Sequence, residues 1–215
     1  MKLTYIYYLL MCVCFINSLF YLHRRDIRIL SALLLISIIT EAVVEYLLQH
    51  QLRYYRVYHI FNIAEYTLTT LMLREEIPPG KIRQIMLWSI LPFASGSLLV
   101  SCFIQPWNRL PSISNDFECL FIISWCIIAL LSIEPENEQS ILIQPKFWFI
   151  ISFYIYFIGT ISFNGIFNFL TQIKSQEAVA RSLFSIINSA CNYLLYVFML
   201  VGFSMFRWKK SMQLS

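Results

Sequence analysis

The stretch FNIAEYTLTTLML, residues 61–73, places a carboxyl group, Glu65, inside a run otherwise suited to the interior of a bilayer, with Asn62 one helical turn before it. An ionised acid near the bilayer midplane costs about 2.5–3.5 kcal/mol on insertion scales. How the chain accommodates that group depends on what surrounds it. The 215 residues are 59% hydrophobic and 13% charged, with a mean hydropathy of +0.66. Ordinary soluble domains carry about 25% charged residues. The composition is that of an integral membrane protein.

A hydrocarbon core of about 30 Å takes roughly 20 helical residues to cross. Apolar runs of about that length, separated by charged or proline-bearing breaks, occur at 3–22, 27–48, 58–73, 85–104, 116–133, 147–170 and 183–206. The expected fold is all-α: a polytopic bundle of seven transmembrane helices forming one domain over residues 1–215. The connections are too short to hide a soluble domain with its own core. Strands are not expected, because the runs are apolar on both faces and lack the alternation of a membrane barrel. The first run lacks a small-residue cleavage site and continues through Phe15 to Phe20, so it reads as a helix and not as a signal peptide.

Lys and Arg counted by side set the orientation. Arg24, Arg25, Arg28, Arg74, Lys81, Arg83, Lys146, Arg207, Lys209 and Lys210 fall on one side; Lys2, Arg53, Arg56, Arg109, Lys174 and Arg181 fall on the other. The bias puts the N-terminus outside and the C-terminus in the cytoplasm. Tyr54, Tyr55, Tyr58, Trp107, Trp148 and Trp208 fit interfacial belts at the span ends. His23, His50 and His59 read as interfacial residues too.

With alternate helices running in opposite directions and a rise of about 1.5 Å per residue, Glu65 lies about 10 Å below the outer surface. Glu41 and Glu45 of the second run, Asp116 and Glu118 of the fifth, Asn164 and Asn168 of the sixth, and Asn188 and Asn192 of the seventh share that outer layer. The pairs Glu41 with Glu45, Asn164 with Asn168 and Asn188 with Asn192 are spaced by four, and Asn62 with Glu65 by three, so each pair projects from one helix face. Lipid offers such groups no hydrogen-bond partner, which turns them inward. A polar pocket lined by Glu41, Glu45, Asn62, Glu65, Glu118, Asn164, Asn168, Asn188 and Asn192 is expected, with Glu65 hydrogen-bonded to neighbouring amides. Interhelical glue is the competing role, at about 0.6–2 kcal/mol per bond.

Other chemistries lack their residues. The last run has no lysine for a retinal Schiff base, the three histidines are scattered with no HExxH, and no GxSxG occurs. The six cysteines form no CxxC and read as small packing residues. No catalytic residue, metal or cofactor is expected, and the dispersed charge of +4 does not indicate nucleic-acid binding.

The run PKFWFIISFYIYFIGTISFNGIFNFL, followed by FSIINSACNYLLYVFMLVGFSMF, resembles a family of uncharacterised seven-helix inner-membrane proteins typified in the Bacteroidetes. The residues that carry the likeness are Pro145, Phe147, Trp148, Tyr156, Gly159, Ile187, Asn188 and Asn192, with Asn62, Glu65 and Tyr66 of the third run. The resemblance covers that run and the last two. Proteins of this kind often accompany sensor histidine kinases, so it implies a bacterial inner-membrane location, a signalling partner and a sensory role. The expected function is a non-enzymatic receptor-like protein whose pocket meets a small ligand or proton. The alternative is a proton- or cation-coupled carrier of a small solute, against which stands the lack of an internal repeat.

Overall fold

The computed structural model describes the backbone of residues 2–105, 107, 111–134, 140–171 and 177–212, and their side chains outside 2–5, 163–185 and 209–212. All seven apolar runs are helical, and no strand occurs among the described residues. The helices are α1 (Lys2–Leu19), α2 (Arg25–Gln49), α3 (Tyr55–Glu76), α4 (Lys81–Leu99), α5 (Ser112–Leu131), α6 (Pro145–Thr171) and α7 (Glu177–Met212). Five helical segments are long and apolar enough to cross a membrane: Arg25–Gln49, Lys81–Ile104, Ser112–Leu131, Pro145–Ser162 and Ile186–Trp208. The chain thus has the make-up of a multi-pass membrane protein. In α1 the described apolar stretch Ile6–Leu19 is shorter, and α3 is diluted by its polar residues.

The ends follow local chemistry. Pro145 opens α6, where its missing N–H would have had no helical partner. Pro78, Pro79 and Gly80 follow α3 and stop it. Gln105 reaches over the start of α5: its Nε2 donates to Ser112 Oγ at 2.7 Å and its Oε1 accepts from the Ile113 N–H at 3.2 Å. That bond satisfies one of the backbone donors a helix start leaves open. After Pro92 interrupts the ladder inside α4, the helix ends in a π-helical turn, Val100–Ile104.

Contacts between helices define a closed ring in the order α1, α2, α3, α5, α6, α7 and back to α1, with α4 packed on its outside against α3. The α6–α7 pair is the tightest, and two glycines allow it. A Cβ at Gly202 would stand 3.0 Å from the Phe149 ring, and one at Gly159 would collide with Cys191 Sγ. Small residues serve this purpose in bilayers, where van der Waals fit must replace the hydrophobic effect between helices. Fully buried Tyr66, Met72, Leu73, Ile122, Phe149, Phe157 and Phe203 fill the ring, while Trp88, Leu91, Phe103 and Leu131 face outward.

The α3 helix is sorted by face. At about 100° per residue, Asn62, Glu65, Tyr66, Thr69, Met72, Leu73 and Glu76 fall on one side. All but Glu65 and Glu76, which are partly buried, are buried there. On the opposite side Ile60, Ile63, Ala64, Thr67 and Leu68, with Ile36 and Leu98, line an open apolar groove of about 430 Å³. The Thr67 hydroxyl does not enlarge its polarity, because it donates to the Ile63 carbonyl at 2.7 Å.

At the arginine-rich end, Glu75 pairs with Arg74 at 3.2 Å, Arg83 at 3.2 Å and Arg25 at 3.7 Å, and Arg24 pairs with Asp26 at 2.9 Å. The Arg24 guanidinium also lies 4.6 Å over the Phe206 ring. These contacts tie together the ends of α2, α3, α4 and α7.

Candidate functional site, a carboxyl and tyrosine cluster

The inward face of α3 supplies Asn62 and Glu65 one turn apart. Their partners come from other helices. Asn62 Nδ2 donates to Glu118 Oε2 of α5, and Glu118 is fully buried. Glu65 lies within electrostatic range of both Glu41 of α2 and Glu118, so the three carboxyls form a chain across α2, α3 and α5. Titration of groups that interact this closely belongs to the set, not to one member.

Phenols complete the cluster. Glu41 accepts hydrogen bonds from Tyr7 and from Tyr8, the latter at 3.5 Å. Tyr156 of α6 and Tyr196 of α7 lie within electrostatic range of Glu65, and Tyr58 within that of Glu41. Cys14 of α1 bonds to the Tyr196 carbonyl at 3.4 Å, holding α7 beside α1 at this level. Buried phenols take an O–H partner where they can, and Glu41 supplies it to Tyr7 and Tyr8.

Two acceptors in the cluster are left over. Asn62 Oδ1 and Glu118 Oε1 are both buried without a hydrogen-bond partner among the described residues. An orphaned buried acceptor is costly, and a donor reaching either one would satisfy it. Chemically, that donor is a proton on the acid or an N–H or O–H of a small ligand.

Glu65, Glu41, Asn62 and Glu118 are therefore brought together as the sequence suggests, with three corrections. The amide of Asn62 serves Glu118 and not Glu65, because its side chain reaches across to α5. Glu45 is exposed and accepts from Gln49 at 3.2 Å, since four residues turn a helix about 40° past a full revolution and carry it off the edge of the face. Asn188 is exposed, and Asn192 Nδ2 donates back to the Asn188 carbonyl at 2.9 Å, a bond within α7. Asn164 and Asn168 lie outside the described side chains.

Tyr7, Tyr8 and Tyr196 were not singled out by sequence reasoning. The available signal was a phenol inside an apolar run, which needs a partner for its hydroxyl. His59, expected as an interfacial residue, is 1% exposed, with the Trp107 ring tilted against it at 5.0 Å. His59 Nδ1 meets Ser101 Oγ at 2.6 Å, and that hydroxyl donates to the Ser97 carbonyl at 2.8 Å, so Ser101 is the acceptor from the imidazole. With its proton committed to the backbone, Ser101 holds the π-helical turn against α3 and is not set as a nucleophile.

Tyr66, beside Glu65 in sequence, lies about 100° further around α3, at the other edge of the same face. Its hydroxyl meets Ser89 Oγ at 2.7 Å, its ring stacks on Phe93 at 4.0 Å, and Trp125 Nε1 points to it at 3.5 Å. The Asn-x-x-Glu-Tyr pattern thus sends three adjacent side chains to α5, to the carboxyl cluster and to α4. No group of three or more His, Cys, Asp or Glu among the described residues is arranged to hold a metal ion.

Comparison of the chain with protein-family models, with curated proteins and with solved structures returns no match.

Proposed function

We propose that this chain is a non-enzymatic, receptor-like protein of a bacterial inner membrane. In that reading all seven helices span, the N-terminus lies outside and the C-terminus in the cytoplasm, as the bias of Lys and Arg favours. A proton or small donor-bearing ligand reaches the carboxyl cluster from outside. Signal passes through a cytoplasmic partner such as a histidine kinase, the partner class that the motif resemblance implies.

The observation that carries this reading is the convergence of Glu41, Glu65 and Glu118 with Tyr7, Tyr156 and Tyr196. Six helices meet in one cluster, so a change of charge or occupancy there acts on six helices at once. A ligand shifts such a bundle only by as much as it prefers one arrangement. The test is hydrogen exchange of the protein in lipid nanodiscs after an external pH step and across a small-amine panel. Altered protection of α6 and α7 in wild type, lost in Glu65→Gln and Glu118→Gln, supports the reading. Identical responses in all three proteins overturn it.

The orphaned acceptors of Asn62 and Glu118 favour a second reading, a proton- or cation-coupled carrier of a small solute. Dye-reported proton flux into proteoliposomes that Glu65→Gln abolishes would select it. Altered protection of α6 and α7 without flux selects sensing.

A further inference from the structure

The open groove on the side of α3 away from the carboxyl cluster plays no part in the site above. α3 packs against both α2 and α4, and the groove runs between them, with Ile36 of α2 as one wall, Leu98 of α4 as the other and the α3 residues from Ile60 to Leu68 as its floor. That floor covers about 12 Å of helix. No charged side chain lines it, and its one hydroxyl, that of Thr67, is turned to the Ile63 carbonyl at 2.7 Å. In a bilayer such a space is filled by hydrocarbon, because an empty one forfeits the dispersion contacts of its lining. What sets the groove apart from the rest of the outward surface is its end. Arg56 lies one turn before Ile60, and Arg56, Ile60, Ile63 and Thr67 fall within about 60° of one another around α3. Arg56 is exposed and joins none of the ion pairs among the described residues, whereas Arg24, Arg25, Arg74 and Arg83 at the opposite end are each paired with an acid. Tyr54, Tyr55 and Tyr58 beside it fit an interfacial belt, which sets Arg56 at headgroup depth. The stripe of α2 that continues from Ile36 is Thr40, Val43 and Leu47, so no acid on it competes for the guanidinium.

We propose that the groove is a site for one anionic phospholipid, whose acyl chain lies along α3 between Ile36 and Leu98 and whose phosphate pairs with Arg56. A guanidinium presents paired N–H groups that match phosphate oxygens, and it is more weakly hydrated than an ammonium. An anionic headgroup is preferred to a zwitterionic one, because it brings no ammonium of its own to offset the phosphate. The site needs only the multi-pass make-up of the chain and does not depend on the function proposed for the carboxyl and tyrosine cluster.

The test is native mass spectrometry of the full chain released from mixed micelles and titrated with dioleoyl phosphatidylglycerol or dioleoyl phosphatidylcholine. Wild type should retain one phosphatidylglycerol about fivefold more tightly than phosphatidylcholine, the preference that one basic residue beside an anionic lipid supports. Arg56→Gln should bring that ratio close to one, and Arg28→Gln, exposed at the other end of the hairpin, should leave it unchanged. Leu98→Trp, which narrows the groove at an exposed wall, should weaken retention of both lipids. Should Leu98→Trp fail to fold, Ala64→Phe, which fills the floor, gives the same reading. Equal retention of the two lipids by wild type, a preference that survives Arg56→Gln, or retention unmoved by the filled groove overturns the proposal. So does a lipid-free dimer that Leu98→Trp breaks, which would give the groove to a second copy of the chain.

Discussion

The two ends of the α2–α3 hairpin both gather acids, and they neutralise them differently. At the arginine-rich end, Asp26 and Glu75 meet Arg24, Arg25, Arg74 and Arg83 in ion pairs. At the other end, Glu41, Glu65 and Glu118 meet phenols, an amide and one another. Long cationic side chains can reach a carboxylate at a helix end while their charge stays near water. Among the described residues, the acid cluster is faced by neutral donors and by no cation. The first arrangement is chiefly structural, and the second is where function is proposed.

The largest effect that would test this contrast is at Asn62. Asn62→Leu leaves the fully buried Glu118 without its donor and should cost about 1–3 kcal/mol, read as a lowered unfolding temperature in detergent. Unchanged stability would mean that the cluster does not depend on its amide, and the contrast between the ends would blur.

Next comes pH. Burial and the nearby charge of Asp26 raise the Glu76 carboxyl from the ordinary 4.5 to about 8, so its proton-linked stability is full below about 4.5 and declines as pH climbs toward and through 8. Thermal stability should fall between pH 6 and pH 9 in wild type and be flatter in Glu76→Gln. The opposite slope would mean that the Glu76 carboxyl is not raised.

A smaller effect is expected at Glu75. Despite three arginine neighbours, Glu75→Gln should cost about 1 kcal/mol or less, and the loss should shrink in high salt, as partly exposed ion pairs do. Smallest are Glu45→Gln and Asn188→Ala, exposed on their helices, which should stay within about 0.5 kcal/mol of wild type in unfolding, and Asn188→Ala should leave the pH response of the cluster unaltered.

The helices were legible in the chain because apolar length and breaks are local properties. Glu41, Asn62, Glu65 and Glu118 were legible as a layer because rise per residue converts position into depth. Glu45 and Asn188 share that layer yet point away, since depth does not determine azimuth. Tyr196 and Tyr7 were missed for a related reason: a phenol in an apolar run looks the same whether it faces lipid or a carboxylate. His59 was read as an interfacial residue from its nearness to a span end, and its burial beside the π-helical turn leaves no mark in the periodicity.

By itself the sequence determined that this is an apolar, all-helical chain with acids gathered in one stratum of the helices. Tertiary structure alone decided which acids meet and that Asn62 serves Glu118. The reason is physical: hydropathy and helical rise act along one segment, whereas a hydrogen bond between helices depends on the rotation of each about its own axis, which packing of the whole ring sets.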